Sequence, residues 1–252
     1  MHIMSNIDSN KQVEEYTLGQ NHVIDNLWLL FHSAASGQWV MQAGNAVRLH
    51  QKIKEFNPKH ILELGTGIGC STAIMAFTCP EARVYTVDQN QKCIDIAKKL
   101  IPETLQERIY FRKADPQIVT IPQVNPLIHW SLYNDFDWHN YDFILIDGPG
   151  PWKTRVNIEG KYWPTLAELP NGDVINLLPK MAEGTIIYVD GRKQATILYN
   201  RHLQNYLELL EEARGYAIYR RNGKTLKADF SDYENSDTAL INLTKGSYFE
   251  DL

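Results

Sequence analysis

Cysteine is scarce in this 252-residue chain. There are three, Cys70, Cys79 and Cys93, with no Cys-x-x-Cys spacing and no Cys/His cluster. An odd, scattered set excludes a disulfide framework and a thiolate zinc site, and it points to reduced thiols in a cytoplasmic setting. Long hydrophobic runs are missing too. Residues 27–31 form a short apolar run, far below the roughly 20 residues of a membrane span. The opening MHIMSNIDSNKQVEEY has no apolar stretch of the kind a secretion signal needs, so no membrane partner is expected. Positive charge is in deficit: 25 Lys and Arg against 30 Asp and Glu leave a net charge of −5. That disfavours nucleic acid as a partner, because such binding rests on clustered bases neutralising phosphates. The one basic cluster, Arg220, Arg221, Lys224 and Lys227 around Asn222-Gly223, reads as a solvated hairpin tip.

The composition that remains is globular. With 44% hydrophobic and 22% charged residues, a disordered chain is excluded, and a chain of this length buries a large core without staples. From about residue 57, short apolar runs alternate with helical periodicity, the pattern of a parallel sheet with covering helices. The strand candidates are residues 60–64, 83–87, 109–112, 143–146 and 185–189. Helical stripes lie between them: Cys93, Ile94, Ala97 and Leu100 form one, and a short helix is expected to start at Asp173 as its N-cap. A longer stripe runs from Ala195 through Tyr206 to Leu210, closed by Gly215. Residues 216–220, 225–230 and 238–243 read as strands joined without helices, hence antiparallel. Before residue 57, Ala46, Val47, Leu49 and Ile53 mark a helix, and Leu27, Leu30 and Phe31 another. One domain over residues 1–252 is expected, with a helical cap at 1–56 and a core at 57–252.

The strongest local signal is Glu63-Leu64-Gly65-Thr66-Gly67-Ile68-Gly69-Cys70-Ser71, where a buried strand turns through glycines into a helix. Glycines permit positive φ and close ligand approach, and the free N–H groups of a helix start bind carboxylate or phosphate. A dinucleotide fingerprint would place its third glycine where Cys70 stands. Glu63, two residues before the first glycine, would repel a pyrophosphate but suits a cationic amino group. Asp88 ends the next strand, 19 residues after Gly69, where an acid accepts from ribose hydroxyls. Asp115 follows the third strand and Asp147 the fourth. Acids at successive strand ends favour a positively charged nucleoside cofactor.

In these motifs the sequence resembles the class I S-adenosylmethionine-dependent methyltransferases, nearest to the small-molecule O-methyltransferases of the catechol and macrolide-sugar types. The resemblance covers about residues 44–245. It implies a Rossmann-like, doubly wound α/β sheet, mainly parallel with antiparallel C-terminal strands. It also implies S-adenosylmethionine as cofactor, bound by Glu63, Gly65, Thr66, Gly67, Gly69 and Ser71, by Asp88 and Gln89 at the ribose, and by Ala114 and Asp115 at the adenine. In the catechol-type enzymes a divalent metal (Mg²⁺) sits on acids ending the fourth and fifth strands. Here Asp147 matches, while Asp190 matches half of a pair, being followed by Gly191, so the metal stays open. The resemblance implies Asp147 and Lys153 as catalytic candidates. Residues 148–172, with Trp152, Trp163, Lys153, Arg155 and Lys161, are expected to wall a pocket for a small-molecule acceptor. His129 and His139 flank this region and read as structural. An aminopropyl transferase and a non-catalytic nucleoside-binding module of the same fold remain alternatives.

Overall fold

The computed structural model describes residues 22–35, 37, 39–121, 128–133, 135–149, 156–158, 161–163 and 170–224. Two helices lead in, α1 (His22–Ala34) and α2 (Ala43–Phe56). The alternating part follows as β1 (His60–Leu64), α3 (Cys70–Thr78), β2 (Arg83–Asp88), α4 (Gln91–Leu100), α5 (Glu103–Gln106) and β3 (Ile109–Lys113). A hairpin of β4 (Gln117–Ile121) and β5 (Ile128–Leu132) precedes β6 (Phe143–Ile146), and a smaller one, β7 (Val156–Ile158) with β8 (Lys161–Trp163), comes after it. The chain continues through α6 (Asp173–Leu177), β9 (Ile186–Asp190), α7 (Lys193–His202), β10 (Leu207–Ala213) and β11 (Tyr216–Arg221).

Among the described residues, seven strands form one sheet in the order β10-β11-β9-β6-β1-β2-β3. The five from β3 to β9 are parallel, and β11 and β10 are antiparallel additions at one edge. The central strands are apolar on both faces, and successive residues point opposite ways. Phe143, Leu145, Ile186 and Tyr188 pack with α1, α2 and α3 on one face. Ile144, Ile146, Ile187 and Val189 pack with α6 and α7 on the other. Each such side chain is essentially removed from water, worth about 2 kcal/mol apiece. The expected parallel strands and their covering helices are therefore present, with boundaries shifted by a residue or so.

Two expectations need correction. The long stripe ending at Gly215 is not one helix. It stops at His202, and Leu207–Ala213 is an edge strand. Leu and Glu favour helix there, but the backbone of Asn205 and Tyr206 is bonded by Asn222, and residues 207–213 find a ladder on β11. Tertiary pairing overrides local propensity. The turn of the β10–β11 hairpin is consequently at Arg214-Gly215, where Gly215 takes φ +92°. Asp173 also does not cap α6, since Gly172 is the N-cap and makes no side-chain bond. The strands expected at 225–230 and 238–243 lie outside the described residues.

Candidate functional site

Parallel strands deliver their carboxyl ends to one edge of the sheet, where open α/β folds bind ligands. β1 ends there in the glycine loop, whose three glycines have different physical jobs. Gly65 has φ +111°, and a Cβ on it would lie 2.7 Å from the Asp147 carbonyl carbon and the Gly148 nitrogen, so this glycine lets β1 and β6 close together. Gly69 has φ +92° and a Cβ there would meet Ala97 at 2.8 Å, so it seats α3 against α4. Gly67, at φ +51°, has nothing within 4 Å of the Cβ position. It is the open one, with backbone free to be approached.

Asp88 anchors this loop. Its Oδ2 accepts from the Gly67 N–H at 2.9 Å and its Oδ1 from the Asn90 N–H at 2.7 Å. The carboxyl is buried, and desolvation raises its pKa against the pull of those backbone donors. The Thr66 backbone bonds it as well, and a carboxylate has about four lone-pair sites, so capacity remains for a ligand. Beside it Gln89 Oε1 accepts from the Tyr133 hydroxyl at 2.9 Å, and the Ala114 N–H donates to the Asp88 carbonyl at 3.0 Å.

Glu63 differs from expectation. Its side chain is fully buried and turned into protein, not toward the open side of the loop. Oε1 accepts from Ser71 Oγ, and Oε2 accepts from Thr72 Oγ1 at 2.5 Å and Thr86 Oγ1 at 2.6 Å. Burial pushes this carboxyl up to about 7, with the three hydroxyl donors opposing. The Ser71 hydroxyl is thereby committed to Glu63, leaving its backbone N–H at the start of α3. Asp115, just after β3, is 77% exposed and ion-paired with Lys113.

Asp147 and Asp190 stand side by side, because Ile146 pairs with Val189 in the β6–β9 register. Arginines flank them. Arg192 donates to the Asp147 carbonyl, and its Nη2 is 3.7 Å from Asp147 Oδ1. Asn45 Nδ2 donates to Asp190 Oδ1 at 3.3 Å, and Arg48, which donates to Asn45 Oδ1 at 3.0 Å, lowers the Asp190 pKa through its charge. Burial first, then Asp190, pushes the Asp147 carboxyl well above its ordinary value although 38% of the side chain is exposed, while Arg192 opposes. Asp190 is raised to about 6, again by burial, against Arg48 and Arg192. A divalent cation takes about six oxygen ligands, and the charge of an adjacent guanidinium opposes it. Two acids already flanked by guanidinium groups do not fit one. Among the described residues, no group of three or more His, Cys, Asp or Glu side chains is disposed to hold a metal.

The segment Trp39–Met41 closes this edge from above. Trp28 Nε1 donates to the Met41 carbonyl at 2.7 Å, tying the segment to α1. Trp39 and Met41, with Gly67, Ser71 and Asp147, line a small cavity of about 30 Å³. On the far side, Asp173 accepts from the Tyr133 N–H at 3.0 Å and from Asn171 Nδ2 at 2.8 Å, while Asn171 Nδ2 also reaches the Gly148 carbonyl at 3.2 Å. This network props Tyr133 and the chain after Asp147.

Sequence reasoning missed Tyr133, Asn45, Arg48, Asn171 and Arg192, and it gave Asp173 the wrong task. Arg192 had a usable signal, two residues after a strand-end acid. The others act from distant segments. Trp152, Lys153 and Arg155 of the expected 148–172 wall lie outside the described residues, as do the side chains of Lys161 and Trp163. His139 stacks on Tyr85 at 4.2 Å, away from the glycine loop, and the His129 side chain is outside the described set. The basic cluster is partly internal, since Arg221 is buried and donates to the Lys224 carbonyl at 2.9 Å.

Solved structures share this architecture at low identity. The O-methyltransferase TomG from Streptomyces achromogenes, in complex with SAM, is similar at TM-score 0.51 and 12% identity, over 81% of this chain and 91% of that one. The SAH-bound methyltransferase PaMTH1 from Podospora anserina gives TM-score 0.51 and 14% identity, over 87% and 100%. Cofactor-bound Rv0187 from MTB gives 0.52 and 16%, over 82% and 93%. At these identities the likeness establishes the fold. Residues 31–211 match the O-methyltransferase family in sequence, and on that match the chain belongs to the O-methyltransferase family.

Proposed function

We propose that this protein transfers a methyl group from S-adenosylmethionine to an oxygen of a small-molecule acceptor. The observation that supports it most is the Gly67–Asp88 arrangement, an open glycine whose N–H is fixed by a buried acid with unused lone pairs. The site residues fit a cationic nucleoside, because among the described residues acids and backbone N–H groups dominate around the loop. When bound, the cofactor supplies an electrophilic methyl on sulfur. Asp88 holds the ribose hydroxyls, and Gln89, Ala114 and Tyr133 border the base. The backbone of Gly65, Thr66, Gly67 and Gly69 and the α3 N-terminus receive the carboxylate end. Glu63 acts from behind, fixing the Ser71, Thr72 and Thr86 hydroxyls. Asp147 borders the reacting end, and its raised pKa suits it to accept a proton from a hydroxyl acceptor. Lys153 and the 148–172 segment are the proposed acceptor wall. A cytoplasmic setting accords with three free, buried cysteines, and no described helix is long and apolar enough to cross a membrane.

Isothermal titration with S-adenosylhomocysteine and with NAD tests the cofactor reading. Saturable binding of the first and not the second is expected. NAD binding alone overturns it.

A further inference from the structure

At the edge of β6 and β9 the chain places a fixed organic cation beside two strand-end acids. Arg192 is 13% exposed, and one of its amino groups is engaged by the Asp147 carbonyl and lies near Asp147 Oδ1. A guanidinium carries five N–H donors in a fixed fork, so donors remain for a group arriving from solvent. Arg48 stands on the other side of Asp190, held over the Tyr216 ring at 4.2 Å and bonded to Asn45. The two guanidinium charges oppose the attraction these acids would exert on a divalent ion and supply a directed donor for an oxyanion.

The geometry points to Arg192 as the group that grips the acceptor oxygen, with methyl transfer needing no divalent metal. This rests on the proposed methyltransferase reading. The proton and electron pairs are accounted for within the site. The hydroxyl proton passes to the Asp147 carboxylate, and Arg192 stabilises the oxyanion by charge-assisted hydrogen bonds. The oxygen lone pair forms the O–C bond, and the C–S pair returns to sulfur as a thioether. A bidentate chelating diol is not required, because one oxygen suffices for one fork.

The test uses the full chain saturated with S-adenosylhomocysteine, whose binding by wild type and by Arg192→Gln is measured first. Failure at that stage is failure of the cofactor reading. With both loaded, Mn²⁺ is titrated and followed by electron paramagnetic resonance, and 4-nitrophenol is titrated and followed by the visible absorption of its phenolate. Wild type is expected to leave the Mn²⁺ signal free. It should also enrich bound nitrophenol in phenolate relative to solution at the same pH. Arg192→Gln should bind nitrophenol at least tenfold more weakly and lose the phenolate enrichment, with Arg192→Lys recovering part of both. A stoichiometric Mn²⁺ site in wild type, no phenolate enrichment by wild type, or equal enrichment by Arg192→Gln each overturns the inference.

Discussion

Replacing Glu63 by Gln should make the protein more stable at alkaline pH and flatten part of its pH dependence. Glu63 has no exposure, and burial lifts its carboxyl from 4.5 to about 7 in the fold. Between those values the folded state holds a proton that the unfolded chain has released, so stability falls as pH rises through that window. At 1.36 kcal/mol per pKa unit, wild type loses about 2.5 kcal/mol between pH 5 and pH 8 from this group alone. Gln keeps the volume and carries no titrating proton. With its oxygen in the Oε1 place it can accept from Ser71, while its amide group in the Oε2 place donates to the Thr72 and Thr86 hydroxyl oxygens, and Thr86 can turn its own hydroxyl to Thr66 Oγ1, already 2.6 Å away. The assay is urea unfolding of both proteins at intervals from pH 5 to pH 8. The difference between the two curves should move by about 2.5 kcal/mol in favour of the variant, which is ~5–10 °C in Tm for a chain of this size. Parallel profiles, or a variant weaker than wild type at pH 8, would refute the reasoning that desolvation outweighs three hydroxyl donors.

Three further outcomes are expected. Asp88→Ala should weaken S-adenosylhomocysteine binding by about 1–3 kcal/mol, read by calorimetry, because it removes a buried acceptor and frees the Gly67 N–H. Gly65→Ala should destabilise by about 3 kcal/mol in urea, since its Cβ would strike backbone at 2.7 Å at a positive φ, whereas Gly67→Ala has open space and should lose only about 1 kcal/mol. Asp173→Ala should destabilise by about 3 kcal/mol and speed hydrogen exchange at the Tyr133 amide, because it leaves the Tyr133 N–H and the Asn171 amide without their buried acceptor.

The legible parts of the molecule share one property: the information is local. A buried strand, three glycines and a helix start lie within residues 61–72, and their order alone requires a turn with open backbone. Asp88 was legible because strand spacing fixes how far along the chain the next strand ends. Glu63 was found but misread, since its neighbours in sequence are apolar while the Thr86 hydroxyl that claims it comes from another strand. The strand β10 was misread as helix for a related reason. Leu-Glu-rich sequence favours a helix until an unpaired strand edge is placed alongside, and nothing within residues 207–213 announces β11.

The acid–arginine group at β6 and β9 marks the same division. Sequence alone determined that acids end these two strands, because alternating apolar runs fix where strands stop, and it placed the chain's glycine loop at the ligand edge. Only the folded arrangement decided that Arg192 and Arg48 neutralise those acids, that Tyr133 stands beside Gln89, and that the Ser71 hydroxyl turns inward. These contacts join segments many residues apart, and charge at a point is set by everything within a few ångströms, whatever its place along the chain.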